Sequence, residues 1–341
     1  MSYPVDRPEA SDSSAWVESP LQLLSVIEAR SVGVLPDHVG IRMRRGVPGL
    51  EQTRDVLHPY LPLTAAETAA APCPPSGTAG TWAIGDAFSG RVQRALLKAP
   101  ANRIVIVDDG LATWRLLRLL SARRALPLVR ARARPGLSRI ALGLYTAHVL
   151  RRAIHRGRLT VFTMLPVPDE MAEAVQGAGI RLVGHDFATL RGLPARAVPG
   201  QRRIVLGTAL VNDGLIDRGA YLSWLADHYR TGPIAYHPHR REDREVLSHL
   251  EGQPNVKVVR PGVPVEVSLR GLGPGHTVIT APSTVLASLP HLVNGAEVRA
   301  LKVPEHWWTR RAGPGLRADL LASVQAVPRS AAGGDKEGAG V

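Results

Sequence analysis

The chain has 341 residues, 45% hydrophobic and 4% aromatic, with a formal charge of +13. Its length points to two domains and its apolar share to packed cores, which excludes a small disulfide-stapled module and a wholly disordered chain. No run approaches the ~20 apolar residues of a membrane span, no basic-then-apolar leader opens the sequence, and the single Cys73 admits no intrachain disulfide.

The ends, 1–14 and 329–341, are polar or lack anything to bury and are expected to be disordered. Between them short β-rich runs alternate with helical stretches, the mark of an α/β fold with mainly parallel sheets. In the front half the pattern predicts strands at 15–17, 38–43, 81–84, 103–107 and 159–163. Helices are expected at 19–30, 111–120, 138–156 and 169–176. The run RIVIV at 103–107 suits a strand buried on both faces. Helix 138–156 carries Ile140, Leu144, Ala147, Leu150 and Ile154 at helical spacing, beside Arg151, Arg152 and Arg156. Such a helix could touch an anionic membrane, although more often it packs with a solvated basic face.

The Pro-, Gly- and Arg-rich stretch 191–202 is the expected linker between a lobe at 15–190 and a second at 203–305. The second lobe reads as strands at 204–206, 234–236, 256–259 and 277–280. Its helices fall at 217–229, with Asp217 as cap, and at 242–250, 265–269 and 283–289. A C-terminal helical segment, 306–328, holds the pair Trp307-Trp308 and, after it, a last helix near 316–324.

Four segments that carry chemistry fall at or near the carboxyl ends of predicted strands, where open α/β sheets bind ligands. In Asp108-Asp109-Gly110 a carboxylate held at a strand tip could accept a proton from a sugar hydroxyl; equally, Asp109 could cap the following helix. In His237-Pro238 an imidazole could bind a leaving phosphate, although a lone His-Pro is more often a surface turn. Ser283 and Thr284 open a helix and could hold a phosphate or simply cap. Glu266 could grip the two hydroxyls of a ribose. Adjacent Asp108 and Asp109 point apart and His237 and His239 lack a third ligand nearby, so no metal site is expected.

This ordered set resembles the bacterial sialyltransferases of the GT-B type, a group that includes capsular polysialyltransferases and lipooligosaccharide sialyltransferases. Glu18-Ser19-Pro20-Leu21-Gln22 resembles the first strand-to-helix turn of that family, and Leu206-Gly207-Thr208 the opening of its nucleotide-binding lobe. The resemblance implies two Rossmann-like lobes with a cleft between them, CMP-sialic acid as donor, a glycan acceptor and no required cofactor or metal. It implies Asp108 as general base, with Asp109 second, and His237, Ser283 and Thr284 on the CMP phosphate. It further implies Glu266 on the ribose, and Ser19, Gln22, Gly110, Gly207 and Pro238 lining the substrates. Thr208-Ala209 departs from the Gln-Pro of the family, which leaves the base contacts open.

The resulting expectation is an inverting sialyltransferase in the cytoplasm or at the inner face of the membrane. Two alternatives stand beside it. One is a GT-B enzyme using another nucleotide sugar. The other is a non-catalytic basic protein binding acidic polysaccharide or nucleic acid, against which stands the lack of any nucleic-acid module.

Overall fold

The computed structural model describes residues 13–61, 68–71, 80–98, 103–108, 110–130, 135–195 and 199–325. The chain divides into two compact units, one of Met1–Val198 with Arg260–Gly271, the other of Pro199–Val259 with Leu272–Val341.

The first unit runs β1 (Ser14–Val17), α1 (Pro20–Ser31), β2 (Gly40–Arg44), α2 (Pro48–Leu57), β3 (Thr68–Ala71), β4 (Thr81–Ile84) and α3 (Gly90–Lys98). It continues with β5 (Arg103–Val107), α4 (Ala112–Ser121), α5 (Leu137–His155), β6 (Leu159–Thr163), α6 (Asp169–Gly177), β7 (Arg181–Gly184) and α7 (Ala188–Gly192). Seven strands lie in the order β3-β2-β1-β4-β5-β6-β7, and every pair is parallel. Central strands are apolar on both faces because helices cover both: β5 and β6 are almost wholly buried. Trp16, Trp82, Ile84, Ile106 and Val161 pack there with Leu117, Leu150 and Ile154 from the helices. Each such side chain contributes about 1.5–3 kcal/mol by leaving water.

The second unit runs β8 (Arg203–Leu206), α8 (Ala209–Asn212), α9 (Arg218–Arg230), β9 (Ile234–His237), α10 (Arg244–Glu251) and β10 (Val256–Val258). The chain then returns to the first unit over Arg260–Gly271, which holds the one-turn helix α11 (Val265–Ser268). It resumes with β11 (Thr277–Thr280), α12 (Val285–Ser288), β12 (Glu297–Ala300) and α13 (Pro314–Gln325). Five strands, all parallel, lie in the order β10-β9-β8-β11-β12. Asp217 caps α9 as expected, accepting from Ala220 N at 2.7 Å.

In each sheet the strand order reverses beside the first strand, between β1 and β4 and between β8 and β11. Such reversals open a crevice at the carboxyl ends, and ligands of open α/β sheets bind there. No helix among the described residues is long and apolar enough to cross a membrane. The stretches 1–12 and 326–341 lie outside the described residues, as does Cys73.

Candidate functional site

At the carboxyl edge of the first sheet, Asp108 follows directly on β5 and is fully buried. Each of its oxygens is held by two donors. Oδ1 accepts from Gly110 N at 3.0 Å and Thr113 Oγ1 at 2.8 Å. Oδ2 accepts from Thr163 Oγ1 at 2.8 Å and Met164 N at 3.0 Å. Burial lifts its pKa above the ordinary carboxylate range, opposed by those four donors. Gly110 takes φ +72°, the left-handed conformation that lets the chain turn so tightly into α4. Asp108 therefore ties β5, β6 and α4 together. Asp109 lies outside the described residues.

Two strands away, Ser19 caps α1, its Oγ accepting from Gln22 N at 3.3 Å. Gln22 Oε1 accepts from Glu18 N at 2.7 Å and so closes the turn after β1. Its side chain fills the space that a Cβ on Gly85 would need, 2.1 Å from Gln22 Cδ. Asp86, after β4, sits at the reversal point; its Oδ1 accepts from Phe88 N at 2.8 Å and its Oδ2 from the Arg130 guanidinium. Burial raises the Asp86 pKa, with Arg130 opposing. Nothing in the sequence pattern had singled out Asp86, because Gly85-Asp86 reads as an ordinary turn. Glu266, in α11, is buried and belongs to the first unit, whereas His237, Ser283 and Thr284 belong to the second.

In the second sheet, the pairing sets Leu206 beside His237 and Thr280 beside Leu206, so the ends of β9, β8 and β11 are level. Adjacent strands lie about 4.8 Å apart, which puts His237 and the Thr280–Thr284 turn two strands apart on one edge. Tyr236 and His237 are consecutive strand residues and leave the sheet on opposite faces. Tyr236 faces α9, where its hydroxyl lies 3.4 Å from that of Tyr221. His237 is buried on the other face, and neither ring nitrogen has a hydrogen-bond partner among the described residues. Desolvation lowers its pKa to about 4, so it is neutral at pH 7. A buried, unpaired imidazole is costly and is a common sign of a functional site.

Gly207 follows β8, and its N–H donates to the His237 carbonyl at 2.8 Å. A Cβ there would lie 1.8 Å from Glu242 Oε2 and 2.8 Å from both His239 N and the Tyr236 hydroxyl. Only glycine fits, because Glu242 folds back over this turn. Glu242 Oε2 accepts from His239 N at 3.0 Å, while Oε1 is buried without a partner. Burial pushes the Glu242 pKa up to about 7. The expected helix at 242–250 begins instead at Arg244, with Asp243 as cap accepting from Glu245 N and Val246 N. That leaves Glu242 in the turn. The better capping residue, one position later, was the signal for it.

Ser283 and Thr284 are half-buried in the turn after β11, and neither side chain caps α12. Ser283 Oγ lies 3.5 Å from Thr280 Oγ1, a contact too long to commit its hydroxyl. Pro238 denies the turn after β9 a backbone donor. Among the described residues no group of three or more His, Cys, Asp or Glu could hold a metal ion.

No protein-family model matches the chain, and no curated protein matches it in sequence. Among solved structures, the alpha/beta-galactoside alpha-2,3-sialyltransferase of the luminous marine bacterium Photobacterium phosphoreum is similar over 93% of this chain and 96% of its own. The TM-score is 0.50 and the sequence identity 11%. The architecture is GT-B-like, two Rossmann-like units with mainly parallel sheets and flanking helices.

Proposed function

We propose that the chain is an inverting glycosyltransferase that moves sialic acid from CMP-sialic acid to a glycan hydroxyl. The observation that carries this reading is His237, a buried neutral imidazole with two unpaired nitrogens at the carboxyl edge of the second sheet. Level with it stands a turn whose Ser283 hydroxyl serves no cap. That set suits a phosphate, which offers acceptor oxygens to each group. The GT-B-like architecture, shared with a structure named as a sialyltransferase, supports the reaction class.

In the proposed reaction the acceptor oxygen attacks the anomeric carbon of the donor in line with the departing phosphate. The bond to the phosphate oxygen breaks with its electron pair, and the nucleotide leaves as CMP. His237 donates a hydrogen bond to that oxygen, with Ser283 and Thr284 beside it, and these donors stabilise the charge that develops. The acceptor proton passes to a carboxylate of the pair Asp108-Asp109. Asp108 is buried and engages four donors, so we assign it the positioning of the turn and give proton acceptance to Asp109. Glu266 keeps its proposed place on the ribose.

Thermal melting in the presence of nucleotides tests the donor. CMP at 100 times its Kd stabilises by ~2.7 kcal/mol through mass action. UDP and GDP are expected to leave the transition in place. A shift with UDP or GDP and none with CMP would move the enzyme to another nucleotide sugar.

A further inference from the structure

The positive charge is not spread along the chain. Residues 110–168 hold twelve arginines and no Asp or Glu, so twelve of the thirteen net positive charges lie in that stretch. Arginine is frequent throughout the sequence, but in this region of the first unit, built around α4 and α5, no carboxylate of the stretch itself offsets it.

Several of these arginines work inward. Arg139 donates to Gln93 Oε1 at 2.6 Å and to the Phe88 carbonyl. Arg115 donates to the Val129 carbonyl at 3.2 Å, and Arg151 to the Arg123 carbonyl at 3.2 Å. These bonds lay the segment 122–130 along α5. Leu128 N donates to the Gly143 carbonyl at 3.2 Å, and a Cβ on Gly143 would lie 2.9 Å from Leu128 N. Helix α3 packs against α5 as well. Arg130 reaches Asp86, and Arg132 and Arg134 lie outside the described residues. Arg118, Arg123, Arg124, Arg152, Arg156 and Arg158 are exposed.

The same surface exposes apolar side chains. Of the eight large hydrophobic residues exposed among the described residues, four lie here: Leu126, Leu137, Leu144 and Tyr145. Leu137 is 87% exposed and Tyr145 50%. On α5 the residues Leu137, Ala141, Leu144, Tyr145, His148 and Arg152 recur at three- and four-residue spacing and share one face. That face is apolar over the first half of the helix and basic over the second.

We infer that the α5 face, with the adjoining segment 122–130, docks on an anionic lipid bilayer. Leu126, Leu137, Leu144 and Tyr145 enter the boundary between headgroups and acyl chains, and Arg123, Arg124, Arg152 and Arg156 meet the lipid phosphates. Exposed aliphatic side chains beside unopposed arginines match a membrane interface. A single-stranded nucleic acid would instead call for aromatic stacking platforms, and neither a duplex nor a soluble polyanion has a use for Leu137. The inference stands on this surface alone and does not depend on which sugar the chain transfers.

Co-sedimentation of the full chain with vesicles tests it, using phosphatidylcholine alone and phosphatidylcholine with phosphatidylglycerol. The wild type is expected to sediment with the anionic vesicles only, and less at high salt. One basic residue near such a surface changes partitioning about fivefold, so the double variant Arg123→Ala, Arg124→Ala should bind about 25-fold more weakly. The double variant Leu137→Glu, Tyr145→Glu should also lose at least about tenfold, since apolar insertion contributes alongside charge. All of these side chains are exposed, so unchanged melting temperatures control for folding. Equal binding to neutral vesicles would overturn the inference. So would full retention by the Leu137 and Tyr145 variant, or random DNA displacing the protein from vesicles while binding that variant as well as wild type.

Discussion

Replacing Asp108 by Asn separates a catalytic carboxylate from a structural one. Gly110 N–H points at one oxygen and Met164 N–H at the other. Whichever way the amide of an Asn turns, its NH2 therefore meets a backbone N–H. The threonine hydroxyls can rotate and accept; the backbone donors cannot. One charge-assisted hydrogen bond is lost and one buried N–H is left unpaired, which together cost about 3–5 kcal/mol. For a unit of this size each kcal/mol lowers Tm by roughly 2–4 °C, so a fall of about 6–20 °C is expected. Calorimetry of Asp108→Asn beside Asp109→Asn reads the contrast, with Asp109→Asn melting close to wild type and losing transfer. If Asp108→Asn melted within a degree or two of wild type, the structural role assigned to Asp108 would be refuted.

Four further outcomes follow from the second sheet and from α5. His237 is held neutral in the fold with a pKa of about 4, below its ordinary 6.5. Its contribution is thus fully present above pH 6.5 and falls by about 3 kcal/mol as pH drops to 4; denaturant titration of His237→Gln across that window should show a flatter profile. Glu242 has the opposite sign. Its folded pKa of about 7 lies above the ordinary 4.5, so stability is full below pH 4.5 and declines by about 3 kcal/mol as pH rises to 7. Glu242→Gln should therefore gain on wild type at pH 8 and not at pH 4; parallel pH profiles would remove Glu242 as the cause. Gly207→Ala drives a Cβ into Glu242 and His239 N, should cost about 1–3 kcal/mol, and should weaken CMP binding measured by calorimetry, because the turn it displaces carries His237. Gly143→Ala should cost a similar amount in a thermal melt, since the Leu128 backbone must leave α5.

The central strands were plain in the sequence because burial on both faces demands uninterrupted apolar runs, as in RIVIV of β5. The strands that escaped were edges. β3 (TAAA) and β7 (RLVG) flank the first sheet and β12 (EVRA) flanks the second, and none carries such a run. Helix α2 escaped because it opens on Pro48-Gly49. At the site, the positions of His237 and of the Ser283 turn were readable from strand ends alone. Glu242, Asp86 and the four donors around Asp108 were not, because each depends on contacts between segments far apart in the chain. The return of Arg260–Gly271 to the first unit, which takes Glu266 with it, has no local signature at all.

The proposed transfer stands most directly on His237 meeting the donor phosphate. Release of CMP from CMP-sialic acid, followed with wild type and His237→Ala at pH 7, measures this. Wild type is expected to release CMP and the variant to lose at least about a hundredfold, the scale of removing a donor to a developing oxyanion. Equal release by the two proteins would contradict it, as would a wild type that leaves CMP-sialic acid intact with every acceptor offered.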